Sequence, residues 1–217
     1  MTALATKTQR DPRSEIKRIA RGLFAERGLR QVTLREIAAA AGQRNLGVVS
    51  YYFGTKDNLV AEILIDGAKK IEARRKRYLD ELAEEGGPSS VLEVVEAIVL
   101  PAAQFSDEDE RDGAHFNRFL LQLSLGSGAF IDRTLEGRWN AGYQRCLRHL
   151  RRLMTGLSGA EMNRRFVFLG SYVGALLAMR ESMLADRTRA HPMWRAKATL
   201  DDIVRTAASI LEAPPVP

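Results

Sequence analysis

Side chains that could perform covalent or metal chemistry are few and scattered in this 217-residue chain. His115, His149 and His191 lie far apart in the sequence, and Cys146 is the single cysteine. The chain has no glycine-rich phosphate loop, no cluster with the spacing of zinc ligands and no nucleophile motif. We therefore expect no enzyme activity, no catalytic residue, no metal and no cofactor. A single cysteine cannot form an internal disulfide, which favours a reducing, cytoplasmic location.

The charged side chains are segregated along the chain. Residues 1–56 hold eleven Lys or Arg and four acids, a formal charge of +7, whereas residues 57–217 hold 22 bases and 23 acids, a formal charge of −1. Such asymmetry indicates a partner with fixed negative charge at the N-terminal end, either nucleic acid or an anionic membrane surface. A basic surface that only confers solubility would not require this segregation.

Residues 33–53 have the spacing of a helix-turn-helix. Thr33 and Glu36 form a capping box that opens a short helix, and Gly42 ends that helix. Asn45 is the predicted cap of a second short helix that carries the aromatic pair Tyr52 and Phe53. An α-helix fits the major groove of DNA, and the preceding helix braces it across the backbone. The pattern therefore favours double-stranded DNA as the anionic partner.

Four runs of residues carry a resemblance to a known family: 23–28, 32–38, 41–42 and 51–59. Their joint spacing resembles the TetR (tetracycline-repressor-like) family of transcriptional regulators over about residues 14–60. The resemblance implies a nine-helix subunit in an Ω-shaped homodimer. It implies a DNA-binding domain in residues 1–56, with a basic arm, and an effector-binding and dimerisation domain in residues 57–217. The implied function is a ligand-responsive regulator, a repressor that a small-molecule effector releases from operator DNA.

The resemblance also implies roles for individual residues. Thr33, Tyr51 and Lys56 would contact phosphates, and Lys56 begins the fourth helix, whose free amides and dipole favour an anion. For Thr33 and Asn45 a capping role alone is the open alternative. Tyr52 and Phe53 would hold the second short helix in the core. Base reading would fall to the turn and the exposed face of that helix, at Gln43, Arg44, Asn45, Leu46, Gly47 and Ser50.

The turn departs from the common family pattern. It has one residue more than usual between Gly42 and the aromatic pair, which we interpret as an adapted turn. Leu46 stands where the family often has Lys, and Ser50 where it often has Tyr. An apolar contact from Leu46 to a thymine methyl group is one consequence. Lys7, Arg10 and Arg13 form a basic arm that adds DNA contacts or stays a solvated tail.

Helical periodicity extends over almost the whole chain, and no segment of useful length has a strand period. The predicted fold class is all-α with about nine helices. Asp11 and Pro12 should start the first helix, and Pro101 should kink or shorten the fifth. The six C-terminal helices are predicted at about residues 56–84, 90–105, 113–125, 130–155, 159–186 and 195–212.

Small residues four apart on the eighth helix would let another helix approach closely. These are Gly170, Gly174 and Ala178, and the ninth helix offers Ile203 and Ala207. We expect the eighth and ninth helices of two subunits to form a four-helix dimer interface, with packing inside one subunit as the alternative.

An effector pocket is expected among aromatic and polar side chains, because small-molecule sites are mostly apolar with a few polar groups. Plain core packing is the alternative for each of them. The candidates are His115, Phe116, Phe119, Trp139, Tyr143 and Tyr172.

A helical scaffold that meets membrane surfaces through its basic N-terminus is the alternative function. A membrane span is not expected, because the longest uncharged run, residues 166–179, has 14 residues and about 20 are needed.

Overall fold

The computed structural model describes residues 11–108 and 113–215, and this part of the chain is helical without strands. The predicted all-α class is confirmed. Ten helices follow one another: α1 (Pro12–Arg27), α2 (Leu34–Ala40), α3 (Val48–Phe53), α4 (Lys56–Glu84), α5 (Val91–Glu108), α6 (Phe116–Leu135), α7 (Ala141–Leu153), α8 (Gly159–Ala185), α9 (Pro192–Arg195) and α10 (Lys197–Glu212). We call α1–α3 the head and α4–α10 the body.

Several helix ends follow from local capping, as predicted. The Asp11 carboxylate accepts from the first amides of α1, and Pro12 is its first residue. The capping box of Thr33 and Glu36 is formed at α2. Gly28 follows α1 with a φ of 76°, a value that favours glycine.

Three predicted boundaries are wrong. The predicted helices at 113–125 and 130–155 are instead α6, which continues to Leu135, and α7, which starts at Ala141. Ser127, between two glycines, has non-helical angles (φ −162°, ψ 53°), so the chain kinks there and resumes the helix. The last predicted helix is divided at Ala196, whose extended backbone separates α9 from α10.

Helix α5 continues through Pro101 to Glu108, so proline does not shorten it, and the alternative that it kinks the helix stays a prediction. A proline has no amide to donate to the carbonyl four residues earlier, here that of Ala97. Arg75 of α4 fills this gap: its Nε donates to the Ala97 oxygen at 3.1 Å, and its Nη2 lies 3.5 Å from the Ile98 oxygen. The Arg75 side chain is buried and ion-paired with Glu72. Helix α4 thus supplies the hydrogen bond that α5 lacks.

Two apolar clusters form the core. One lies in the body between α4, α5, α7, α8 and α10. The other contains the buried faces of the head, but also side chains of α4, α5 and α6, such as Leu64, Phe105 and Phe119. The division at residues 56 and 57 remains a prediction, and the second cluster extends across it.

Helix α8 is long and apolar enough, by length and composition alone, to count as a candidate membrane span in the described chain. Its 18-residue window has a mean hydropathy of 1.2 and is one-third buried. The buried face, which includes Phe166, Leu169 and Val173, belongs to the body core. Helix α8 therefore has the character of a bundle helix with a second apolar face left exposed.

The Arg75 contact yields a stability prediction. Arg75→Met should lower the free energy of unfolding by about 2–4 kcal/mol, because the Ala97 carbonyl and the Glu72 carboxylate lose their partner. In a Pro101→Ala background the same change should cost about 1 kcal/mol less, because the backbone amide at position 101 is restored. Urea unfolding at fixed protein concentration measures both.

Arg77→Met on the exposed face of α4 is the matched control and should change stability by less than about 0.5 kcal/mol. Equal costs of Arg75→Met in the two backgrounds would contradict the role assigned to Arg75.

Candidate nucleic-acid interface

Helix α3 is fixed by two buried side chains one turn apart. Val49 is fully buried and Phe53 is 4% exposed, and both join the apolar cluster of the head. Tyr52 is half-buried against that cluster. This places Phe53 in the core as expected, and Tyr52 only at its edge. The opposite face of α3 is left to solvent.

Most residues expected to contact DNA, whether bases or phosphates, are exposed on α3 or in the turn before it. Tyr51 is 84% exposed, and its ring meets Tyr52 edge-on at 5.4 Å. Gln43 is half-buried, and its Nε2 donates to the Ala41 carbonyl at 3.3 Å. The other exposed members of the set are Arg44, Asn45, Leu46, Gly47 and Ser50.

Asn45 does not cap α3, so that expectation is wrong. The helix starts at Val48 with Gly47 at the cap position. The Asn45 Oδ1 accepts from the Gly47 amide at 2.9 Å, a local turn that precedes the helix. The Asn45 side chain is therefore engaged in shaping the turn before α3.

Thr33 is engaged by its own capping box. Its amide and hydroxyl donate to the Glu36 carboxylate at 2.7 and 2.8 Å, and its Oγ1 accepts from the Glu36 amide at 3.2 Å. The pKa of Glu36 is lowered to about 2, chiefly by the hydrogen bond from the Thr33 amide. The next contribution is the hydrogen bond from Arg27 Nη2 to Glu36 Oε1 at 2.8 Å. Thr33 is exposed, so a phosphate contact through its hydroxyl would compete with the Glu36 carboxylate.

Lys56 lies at the start of α4, as expected, but its ammonium points to backbone oxygens. The Nζ donates to the carbonyls of Leu29 at 2.7 Å and Val32 at 3.1 Å. An ammonium has three donors, so one remains for a phosphate. Lys56 thereby ties the loop between α1 and α2 to the first turn of α4.

Arg13 is part of α1 and not of an arm. It pairs with Glu62 of α4, and its guanidinium lies 5.1 Å from the centre of the Phe53 ring. The start of α1 at Asp11 and Pro12 already places Arg13 in a helical turn, which is the sequence signal for this role. Lys7 and Arg10 lie outside the described residues. Sequence reasoning passed over Arg30 and Arg35, which are exposed and basic near Thr33.

The expected effector residues are not brought together. Phe116 and Phe119 are at most 1% exposed, and Phe119 packs between Phe24 and Phe116, so both belong to the core. Tyr172 bonds to Thr206 between α8 and α10. The other three are dispersed over the body: Trp139 lies under Lys69 and Arg138, Tyr143 is near Arg75, and His115 lies at the start of α6.

A cleft of about 370 Å³ lies elsewhere, between the loop after α1 and the kink of α6. Its lining includes Arg30, Gln31 and Gln122, and none of the expected effector residues. In the described residues no three His, Cys, Asp or Glu side chains are grouped to hold a metal ion.

The expected dimer residues divide into two groups. Gly170 and Gly174 of α8 have open space where a Cβ would stand, with no atom of the described residues within 4 Å of it. Ala178, Ile203 and Ala207 are 4%, 4% and 0% exposed and pack inside their own subunit. Their assignment to the interface is a correction, since the subunit itself buries them. Exposed apolar side chains accompany the glycines instead: Val167, Phe168 and Met179.

Residues 17–63, which contain all of α2 and α3, match the family model described as bacterial regulatory proteins, tetR family. This stretch of the chain is therefore similar to the tetR family. The HTH-type transcriptional repressor KstR2 of Rhodococcus jostii is 50% identical over 52 residues, 24% of this chain and 25% of the relative. KstR2 of Mycobacterium tuberculosis is 31% identical over 104 residues, 46% of this chain and 52% of the relative. The chain thus spans about a quarter of the length of the first relative and about half of the second.

Solved structures extend the likeness of fold to the body. The probable transcriptional regulatory protein RHA5900 has a TM-score of 0.54 at 20% identity, over 94% of this chain and 100% of that one. The tetR-family regulator PfmR from Thermus thermophilus has a TM-score of 0.52 at 16% identity, over 93% and 99%. The helical arrangement of both head and body is therefore that of tetR-type regulators.

A substitution of Lys56 can distinguish a structural role of its ammonium from a role in binding phosphate. Lys56→Met should lower the free energy of unfolding by about 1–2 kcal/mol, because two loop carbonyls lose a charged donor. Lys76→Met, on an α4 side chain that is 75% exposed, is the control and should leave stability unchanged within about 0.5 kcal/mol. Chemical denaturation measures the difference. Unchanged stability together with weakened DNA binding would assign the ammonium to phosphate alone.

Proposed function

We propose that the chain is a transcriptional repressor that binds operator DNA as a homodimer and is released by a small-molecule effector. The observation that carries this proposal is the exposed face of α3, presented by a tetR-like domain with a formal charge of +7 over residues 1–56. Several relatives are named transcriptional repressors, which supports repression over activation. Binding to operator DNA places the protein in the bacterial cytoplasm.

Sequence reading is assigned to the turn and the exposed face of α3. Arg44 has a guanidinium suited to a guanine edge, and Gln43 an amide suited to adenine. Leu46, 39% exposed, supplies an apolar contact for a thymine methyl group. Thr33 and Tyr51 are proposed to meet phosphates, with the amides at the start of α4 beside Lys56. Arg30 and Arg35 add positive charge to the same end of the head.

The second copy of the chain is proposed to cover the exposed apolar face of α8. Val167 and Phe168 are 65% and 57% exposed, and the open space at Gly170 and Gly174 permits a helix of the partner to come close. A two-fold pair built on this face would present two heads. To engage both half-sites, these heads must lie about 34–36 Å apart or a multiple of it.

No catalytic role is proposed. The Cys146 thiol is fully buried, and burial raises its pKa to about 11, so it stays protonated and unreactive at neutral pH. The family that residues 17–63 match consists of regulatory proteins. The effector acts in the body and must bind the DNA-free form more tightly than the DNA-bound form.

The reading face can be tested with a duplex that the wild-type protein selects from a random library. Arg44→Ala should weaken binding of that duplex by about 1–3 kcal/mol and relax the preference at one base pair. Arg187→Ala removes the same charge from an exposed site after α8 and should leave affinity unchanged within two-fold. Fluorescence anisotropy at fixed salt measures both.

An Arg44 variant that binds and selects like the wild type would move base reading away from this turn. If the wild-type protein enriches no sequence and binds anionic vesicles as tightly as DNA, the proposed function itself is wrong.

The dimer face can be tested separately. Phe168→Glu should convert the dimer to a monomer at micromolar concentration, because it buries an unpaired charge in the proposed interface. Leu125→Glu introduces the same charge on α6, at a side chain that is 78% exposed and lines the cleft beside the loop after α1, and this variant should remain dimeric. Sedimentation velocity distinguishes the species. A monomeric wild type, or a dimeric Phe168 variant, would contradict this interface.

A further inference from the structure

A buried carboxylate joins α8 to the first turn of α6. Glu181, near the C-terminal end of α8, is 7% exposed. Its Oε2 accepts from the Arg118 amide at 2.9 Å, and its Oε1 accepts from the Asn117 amide at 3.3 Å. Oε1 also accepts from the Ser106 hydroxyl at 3.0 Å. Burial raises the pKa of Glu181, and these donors oppose that change by stabilising the carboxylate.

The Glu181 carboxylate caps the N-terminus of α6, where no local side chain among the described residues does so. A helix starts with amides that have no partner within the helix, and they favour negative charge. His115 occupies the cap position with a left-handed φ of 64°, and its side chain gives no cap hydrogen bond. Glu181 therefore caps α6 from another helix. By contrast, α8 is capped locally, by Ser158 and Glu161.

The turn that Glu181 holds is also the turn that meets the head. The Phe119 ring lies 6.2 Å from the Phe24 ring of α1. Arg21 of α1 donates to the Ala114 carbonyl at 2.7 Å, immediately before α6. The Phe116 ring fits so closely against Gly67 of α4 that an added Cβ would overlap the ring. A shift of this turn therefore displaces α1 with it.

Two consecutive residues of α8 bind two different helices, α5 and α6. Arg180, 6% exposed, pairs with Asp107 near the end of α5 at 2.6 Å, while Glu181 binds the start of α6. Met179, two residues before Glu181, lies on the exposed apolar face assigned to the partner subunit. One short stretch of α8 thus reaches from the proposed dimer face to the turn that supports the head.

We propose that Glu181 is a positioning residue that fixes the orientation of the head relative to the dimer through the first turn of α6. This inference rests on the proposed function. Without the carboxylate the two heads would sample a wider range of separations, and a smaller fraction of dimers would match both half-sites. Apparent affinity for a full operator falls in proportion to that fraction. The affinity of one head for one half-site does not depend on the separation of the two heads.

The test compares a full operator with a single half-site, both derived from the duplex that the wild type selects. Glu181→Gln keeps the size of the side chain and removes its charge. It should weaken full-operator binding about five- to thirty-fold, while half-site binding stays within two-fold of the wild type and the protein remains dimeric. Glu161→Gln removes a capping carboxylate from the same helix, far from α6, and should change neither affinity.

Full-operator affinity within two-fold of the wild type in a folded Glu181→Gln dimer would overturn the proposal. An equal loss on the half-site would also overturn it, because that result indicates general damage to the head. If Glu181→Gln does not fold, Ser106→Ala removes one donor to the carboxylate and should weaken full-operator binding two- to five-fold, again without a half-site effect. If the ratio of full-operator to half-site affinity in Ser106→Ala equals that of the wild type, the role proposed for Glu181 is wrong. A wild type that selects no duplex means instead that the proposed function has failed.

Discussion

The packing of α6 against α1 is the interaction on which the arrangement of head and body depends. Phe24, Phe116 and Phe119 are each at most 1% exposed, and their rings pack together between α1 and α6. Exposing one such ring costs about 1.5–3 kcal/mol, so the head cannot move away from α6 without a large penalty. The head of three short helices completes its core with side chains of α4, α5 and α6. Movement of the head must therefore be shared with α6.

The body supplies the rigidity that this arrangement needs. Pro101 interrupts the backbone hydrogen bonds of α5, because it has no amide to donate to the Ala97 carbonyl. Arg75 of α4 donates to that carbonyl instead. The same guanidinium pairs with Glu72, whose carboxylate also accepts from the Gly142 amide at the start of α7. Three helices are thus joined by one buried charged pair. A framework connected in this way transmits displacement of one helix to the next.

Local sequence signals predicted most of the fold, and long-range contacts account for what they missed. Capping at Thr33 and Glu36, and helical periodicity through α4 and α8, depend on neighbours within one or two turns. The roles of Lys56, Arg75 and Glu181 depend on partners between 22 and 75 residues away. Periodicity also cannot show which faces of α8 and α10 pack inside the subunit, so the expectation that Ala178, Ile203 and Ala207 lie at a dimer interface is wrong: their own subunit buries them. The effector residues stay a prediction, because an aromatic side chain on a helix face fits core and pocket equally well; among them, Phe119 is buried in the core.

Charge and geometry then have separate tasks. In the proposed function, the electrostatic attraction between residues 1–56, with a formal charge of +7, and the DNA phosphates is present whatever the base sequence, and it depends on salt. Residues 57–217, with a formal charge of −1, cannot cancel that attraction at a distance beyond a Debye length of about 8–10 Å. In the proposed function, release must therefore come from a change in the relative positions of the two heads. The contacts that place them meet at the first turn of α6, with Arg21 and Phe24 on one side and Glu181 on the other.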